Sequence, residues 1–277
     1  GEPLAGAIPD LADLLRSFLE AFAVSIRMTP TQSAASLPAD EPLEAVITWP
    51  ANANGAQRYI TRKCFRDAGF TVIDTLNEPT ASAIELADCL AARRVKRPVA
   101  GPSAVAVFDL GGGTFDASVV WIDGAEFNVL ASGGIENLGG DDFDLVLLEM
   151  FLQALRVPMG DIGGLTRHAL LRQARAQKET ISAGVVQRMF LNPMDFGLPG
   201  RPVSITVDAF YEHIRPMLRP AVLQLHRVID DAAKREPRIL SGGPSLLYLV
   251  GGSSRLPLVA ELVSQAFPGD RVILSDK

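Results

Sequence analysis

Three consecutive glycines at 111–113 stand between two apolar runs, "AVAVFDL" and "TFDASVVWI", with a carboxylate on either side at Asp109 and Asp116. Both runs are rich in β-branched and aromatic residues, so the segment predicts two strands joined by a tight hairpin turn. Without Cβ atoms the turn can fold sharply, and another group can lie directly against its backbone. Successive N–H groups in such a turn form a concavity that suits an anion, phosphate oxygens among them. Carboxylates beside that anion would repel it unless a cation stood between them. Mg2+, held partly through water, meets that requirement.

The rest of the chain alternates between helix and strand. Residues 8–27 have apolar positions at helical spacing behind a Pro-Asp start, and "MTPTQSAASLPADEP" is a polar loop. "LEAVITWP" predicts a strand stopped by Pro50, "NGAQRYITRKCFRDAG" a helix ending at Gly69, and "FTVIDTL" a second strand. "EPTASAIELADCLAARR" predicts a helix with Pro79 in its first turn, and "VKRPVAGPS" a linker. After the glycine hairpin, "DGAE" leads into a third strand, "FNVLASGGI". Residues 141–182 return to helix with a break at "MGDIGG", and 183–207 read as short strands and turns. Residues 208–235 have helical period, although Pro216 and Pro220 are expected to kink or split that helix. A strand "LLYLVGG", a helix "LPLVAELVSQAF" and a strand "RVIL" close the chain. The order is α/β, in a first part spanning 1–100 and a second spanning 101–277.

Composition removes several classes of function. A net charge of −6 without a long basic run disfavours nucleic acid and anionic membrane as partners. No apolar run approaches the ~18 residues of a bilayer span, and the start carries no secretory pattern. Cys64 and Cys89 fall in helical segments and read as small buried hydrophobes of a reduced, cytoplasmic protein. Asp195-Phe196-Gly197 spells a kinase metal motif but lacks the accompanying loops, so it reads as a turn. His168, His213 and His226 have no metal-ligand spacing. The basic cluster Arg93, Arg94, Lys96 and Arg97 reads as a solvated helix end.

A second glycine pair, Gly251-Gly252, follows the strand "LLYLV" and precedes Ser253, Ser254 and a helix. Such a junction lets a planar group rest on the backbone at a helix start. A dehydrogenase fingerprint is disfavoured, because no G-x-G-x-x-G spacing occurs. Taken together, "FDLGGGTFDASVV", "ITWPANANGAQRYITRKCFRDAGFTVIDTLNEPTASAIELA", "ENLGGDDFDLVLLEMF" and "LVGGSSRLPLV" resemble the nucleotide-binding domain of the seventy-kilodalton heat-shock chaperone family. The motifs come in the family's order and cover roughly residues 5–277.

The resemblance implies an actin-like ATPase fold, two lobes around a nucleotide cleft, with 139–205 an outer subdomain of the second lobe. It implies ATP or ADP with Mg2+ as ligands, and co-chaperones and client polypeptides as partners of the longer protein. By the same resemblance Asp109 lies near the metal, with Gly111, Gly112, Gly113 and Thr114 at the phosphates and Asp116 beside them. Glu78 matches the acidic residue near the metal and the attacking water. Gly251, Gly252, Ser253 and Arg255 match the adenosine motif, and Lys178 and Ser182 flank the base. Gly139 and Gly140 open the outer part of the second lobe, and Pro50 and Arg58 match an interlobe relay.

Departures from the pattern shape the expectation. Arg175 stands where the family has a ribose-binding glutamate. The family's first phosphate loop and its upstream lysine have no match, so an incomplete first lobe is expected, as is the lack of a peptide-binding domain after "LSDK". Loss of about three charged hydrogen bonds to phosphate would remove roughly 4.5–9 kcal/mol, or a factor of ~10³ or more in affinity. This chain alone is therefore expected to bind ATP weakly and to turn it over negligibly. Two alternatives stay open: a non-catalytic scaffold or interaction module that keeps the fold, and a small-molecule kinase of the same superfamily.

Overall fold

The computed structural model describes residues 10–29, 41–51, 53–92, 102–181, 186–237, 243–244 and 246–275. Helix α1 (Leu11–Met28) starts where the Asp10 carboxylate accepts from the Ala12 N–H at 3.3 Å. Strands β1 (Leu43–Trp49) and β2 (Phe70–Asn77) pair in parallel, joined by helix α2 (Gly55–Asp67). Parallel pairing of consecutive strands requires such a crossover. The start of α2 is fixed reciprocally: the Asn54 side chain accepts from the Gln57 N–H at 3.0 Å, and the Gln57 side chain accepts from the Asn54 N–H at 2.8 Å. The small core of this part gathers Leu19 and Ala23 from α1 around Leu43, Cys64 and Phe70. Cys64 is a free, buried thiol; the Cys89 side chain lies outside the described residues.

Helix α3 (Glu78–Ala92) carries the division of the chain into two compact units, Gly1–Ala81 and Ser82–Lys277. The second unit is built on a mixed five-stranded sheet. Strands β3 (Ser103–Leu110), β4 (Phe115–Asp123) and β5 (Glu126–Ile135) form an antiparallel meander. Helices α4 (Gly140–Leu155) and α5 (Gly164–Ile181) follow, separated by the expected glycine-containing break. A short antiparallel hairpin, β6 (Arg188–Leu191) with β7 (Val203–Thr206), leads into α6 (Val207–Arg235). Strand β8 (Leu246–Val250), helix α7 (Pro257–Ala266) and strand β9 (Val272–Leu274) complete the unit. The sheet order is β5-β4-β3-β8-β9, with β8 parallel to β3 and β9 parallel to β8. Asp195-Phe196-Gly197 lies in a short 3-10 turn closed by Gly197 at φ +69°.

Side-chain alternation along β3 divides the core. Ala104, Ala106, Phe108 and Leu110 face the larger cluster, which holds Phe143, Leu147, Phe151, Phe210, Ile214 and Leu258. Val105 and Val107 face the other side, against Ala83, Leu86 and Tyr248. Burial on both faces explains why β3 reads as an unbroken apolar run. Asp109 continues the row of Val105 and Val107, so the strand ends on a carboxylate at the rim of an apolar layer.

Of the two outcomes expected at Pro216 and Pro220, the split does not occur: α6 runs continuously for 29 residues through both. Both prolines lie on its exposed face, while Phe210, Ile214, Leu218, Ala221, Leu225, Val228 and Ala232 are buried. The carbonyls that lose their N–H partners belong to Glu212 and Pro216, both exposed, so water replaces the missing donors. The buried stripe supplies the stabilisation that propensity withholds. Among the described residues no helix is long and apolar enough to cross a membrane.

The two cores are unequal, and local opening follows buried apolar packing. In native-state hydrogen exchange of the whole chain, amides of β1 and β2 should exchange much faster than those of β3, β4 and β8. Equal protection factors in both sets would contradict this account.

Candidate functional site

The carboxyl ends of the parallel strands β3 and β8 lie side by side, with Asp109 in register with Val250. Ligands of open α/β sheets bind beyond such strand ends. Here each strand runs into glycine. After β3, the Gly111 N–H donates to the Thr114 carbonyl at 3.0 Å and closes the turn. None of Gly111, Gly112 and Gly113 takes a positive φ, so the turn itself does not demand left-handed backbone.

What demands glycine is packing against the turn. Gly139 is extended, at φ −171°, yet a Cβ there would sit 2.4 Å from the Gly112 carbonyl oxygen. Close contact lets two N–H groups at the start of α4 reach the turn. Gly140 donates to the Gly111 carbonyl at 3.0 Å and Asp141 donates to the Gly112 carbonyl at 2.7 Å. The Asp142 carboxylate accepts from the Gly139 N–H at 2.8 Å and fixes the helix start. From the other side Gly251 combines φ +88° with a Cβ position 2.4 Å from the Leu110 carbonyl oxygen. Beyond it, the Ser253 hydroxyl donates to the Gly111 carbonyl at 2.9 Å. The turn's carbonyls are thus consumed from below. Among the described residues the N–H groups of Gly112 and Gly113 donate to no protein acceptor, and both residues are exposed. That polarity, donors outward and acceptors inward, is what an anion requires.

A cavity of about 230 Å³ opens over this face, lined by Gly111, Gly112, Gly140, Gly252 and Ser253 with Asp141, Arg175, Lys178, Glu179 and Leu256. Its charged wall is a network. Lys178 is buried and its ammonium donates to the Gly140 carbonyl at 2.6 Å and meets Asp144 Oδ1 at 2.7 Å. Arg175 donates from Nε to Asp144 Oδ2 at 3.0 Å and from its terminal nitrogen to Asp141. The buried Asp144 carboxylate is thereby matched by two cations. The hydrogen bond to Asp144 raises the guanidinium pKa further above its ordinary value, so Arg175 stays charged.

Asp109 and Asp116 form a register pair across the β3–β4 ladder, immediately below the turn. Burial, and secondarily the Asp116 charge, pushes the Asp109 carboxyl up to about 6. Burial raises Asp116 as well. Two carboxylates that resist ionising side by side, next to free N–H donors, suit a hydrated divalent cation. Among the described residues no group of three or more His, Cys, Asp or Glu could enclose a metal, so a cation there would take most of its ligands from water.

The sequence-derived residues therefore separate into sets. Gly111, Gly112, Gly140, Lys178, Gly252 and Ser253 line the cavity. Gly113 and Thr114 lie exposed on the same turn, Asp109 and Asp116 beneath it, and Gly139 and Gly251 act as close-packing supports. Arg255 is exposed at the end of the 3-10 turn Gly252–Arg255 and is not among the lining residues. Ser182 lies outside the described residues, as do Arg93, Arg94, Lys96 and Arg97. In the first unit, Glu78 opens α3 and Pro50 follows β1. Arg58 stacks 5.4 Å over the Trp49 ring and donates to the Ala53 carbonyl at 2.9 Å, bracing the loop that begins at Pro50. Three lining residues escaped the sequence reading: Asp141, Glu179 and Leu256. Glu179 had a visible signal, since 175, 178, 179 and 182 follow the i, i+3, i+4, i+7 spacing of one helix face.

Strands ending on glycine beneath a turn with unpaired N–H groups, above a pair of carboxylates, define an α/β unit with a site suited to an anion beyond its strand ends. The model of the family described as Hsp70 protein matches residues 28–272 of this chain. Chaperone protein HscA of Escherichia coli O17:K52:H18 is 34% identical over 225 residues, which are 80% of this chain and 32% of that protein. Heat shock 70 kDa protein BIP3 of Oryza sativa subsp. japonica is 36% identical over 234 residues, 83% of this chain and 33% of that protein. The chain belongs to the Hsp70 family and has the α/β, actin-like ATPase fold of its nucleotide-binding domain. It spans about a third of the length of these curated relatives.

Two measurements test this geometry. Gly139→Ala should lower the free energy of unfolding by about 1–3 kcal/mol, because backbone on both sides must move. Gly112→Ala should change it far less, its Cβ meeting only Asp141 Oδ1 at 3.8 Å. Chemical denaturation showing equal losses would refute the packing argument. For Asp109 the folded pKa lies above the unfolded one, so its contribution falls as pH rises from about 4 to about 6 and is flat above. Asp109→Asn should therefore be about 2–3 kcal/mol more stable than the wild type at pH 7.5, and equal to it near pH 4. A difference independent of pH would exclude burial of an ionised carboxylate as the cause.

Proposed function

We propose that this chain is the nucleotide-binding part of a chaperone ATPase, in which ATP binding and hydrolysis drive binding and release of polypeptides elsewhere in the longer protein. One observation carries the reading. The glycine turn spends the Gly111 and Gly112 carbonyls on α4 and Ser253 and leaves the Gly112 and Gly113 N–H groups without a protein acceptor, Gly112 in the lining of a cavity. The phosphates of ATP or ADP would lie on those donors, with Thr114 beside them. The adenosine would lie toward Gly252, Ser253 and Lys178, with Ser182 and Arg255 completing that end.

Asp109 and Asp116 would hold Mg2+ through water. When bound, that ion neutralises charge building on the transferred phosphoryl group. Glu78 would orient the attacking water or the metal's hydration shell. Pro50 and Arg58 would pass nucleotide state onward from the first unit, Arg58 by fixing the loop that follows β1. Co-chaperones and client polypeptides are partners of the longer protein on this reading. A cytoplasmic setting accords with a buried, free Cys64.

The test is equilibrium titration of the 277-residue chain with Mg-ADP. We expect saturable binding that weakens at least tenfold in Gly112→Val, with circular dichroism unchanged, since the added side chain would intrude on the cavity beside Asp141. Unchanged affinity in a folded Gly112→Val protein would remove the turn from the binding site and the proposal with it.

A further inference from the structure

Helix α1 has more apolar surface than its own core uses. One stripe, Ala12, Leu15, Leu19, Ala23 and Ile26, packs into the small core of the first unit. A second stripe, about 100° round the helix from the first, carries Leu11, Leu14, Phe18 and Phe22 at i, i+3, i+7 and i+11. These four are 77%, 57%, 64% and 46% exposed, and the Phe18 and Phe22 rings stack on each other at 6.1 Å on the surface. The third side is polar and paired within the helix, Arg16 reaching Asp13 at 3.0 Å and Glu20 at 4.0 Å. A surface helix needs one apolar stripe to hold it to its core; a second, uncharged and continuous over three turns, marks a contact face.

We infer that the outer stripe of α1 is an interface with a second copy of this chain, in which the two α1 helices pack antiparallel about a two-fold axis at the level of Glu20. Two features of the stripe select that occupant and that direction. The first is size. Beyond Phe22 the stripe continues through Ser25 and Thr29, so it is bulky at its start and centre and small at its end. Antiparallel packing sets Leu11 on Thr29, Leu14 on Ser25 and Phe18 on Phe22 of the second copy, so large side chains fill the room left by small ones. Each contact then occurs twice, as closed two-fold symmetry requires. Parallel packing would set leucine on leucine and serine on serine, wedging the helices apart at one end and leaving a gap at the other. The second is charge. The helix begins with Asp10 and Asp13 and ends with Arg27, so antiparallel packing brings unlike charges and unlike dipole ends together at both ends.

The exposed area suits a dimer of modest affinity. Four large side chains open to this degree offer roughly 500 Å² per chain, so two copies bury about 1,000 Å², the lower bound of a specific interface. Dissociation is then on the order of 10 µM. The test is sedimentation velocity of the whole 277-residue chain between about 1 and about 100 µM. We expect the mass to rise with concentration from one chain toward two. Phe18→Glu puts a charge at the centre of the stripe and should weaken dimerisation at least tenfold. Phe22→Gln, a milder change, should weaken it in the same direction. Both residues are exposed, so both variants should keep the wild-type circular dichroism. Direction is read by mixing Leu14→Cys with Ser25→Cys in a glutathione disulfide buffer: linked pairs should form in the mixture and not from either variant alone.

A wild type that stays a single chain at the highest concentration overturns the inference and leaves the stripe to another occupant, such as a further segment of a longer protein. A dimer that persists undiminished in Phe18→Glu and Phe22→Gln overturns it too, by placing the interface elsewhere. Linked pairs from Leu14→Cys alone and from Ser25→Cys alone, with none across the mixture, overturn the antiparallel arrangement. A single chain that floats with vesicles of phosphatidylcholine and phosphatidylglycerol, and ceases to do so in Phe18→Glu, assigns the stripe to a lipid surface and overturns the inference equally.

Discussion

Everything at the cavity depends on one backbone crossing, where the turn at 111–113 is held between Gly139 on one side and Gly251 on the other. Neither neighbour could carry a side chain at the observed separation, since a Cβ on either would come within 2.4 Å of a carbonyl oxygen. Close approach allows the start of α4 to donate to Gly111 and Gly112, and Ser253 to donate to Gly111. Because both carbonyls are satisfied inside the protein, the turn is fixed with its N–H groups outward. A turn suited to an anion is thus produced by disposing of acceptors rather than by adding positive side chains.

The charged wall beside the crossing is balanced within itself. Asp144 is buried between Arg175 and Lys178, and such a carboxylate is tolerable only when matched. The same network ties α5 to the start of α4, since Lys178 grips the Gly140 carbonyl and Arg175 pairs with Asp141. Those are the residues whose N–H groups hold the glycine turn. Arg175, at a position where the family resemblance implies an acidic residue, is absorbed into this scaffold by two carboxylates. Its charge therefore fixes the wall.

The second unit can hold such close contacts because its sheet is buried on both faces, with α6 packed along one of them. Seven buried positions of α6 outweigh two prolines whose freed carbonyls face water. Among the described residues the first unit has a two-stranded parallel sheet and a core cluster of five buried residues, so it has less to resist opening.

The sequence by itself determined the alternation of strands and helices, the glycine hairpin, the carboxylates below it and the family pattern. Each of these is a local signal: period-2 or period-3.6 apolar spacing, a Gly-rich turn between strands, a cap residue before a helix. The helix-face spacing of 175, 178, 179 and 182 was legible too, although only its first, second and last members drew notice. Tertiary structure alone decided the rest. That Arg175 would be neutralised by Asp141 and Asp144 depends on contacts 31 and 34 residues apart in the chain. That Ser253 would close on Gly111 depends on one 142 residues apart. Whether α6 would survive its prolines depended on which face they took once the helix had a core to lie on. Periodicity reports what a segment can bury, whereas the partner that satisfies a given charge or carbonyl is settled only when distant segments are packed against one another.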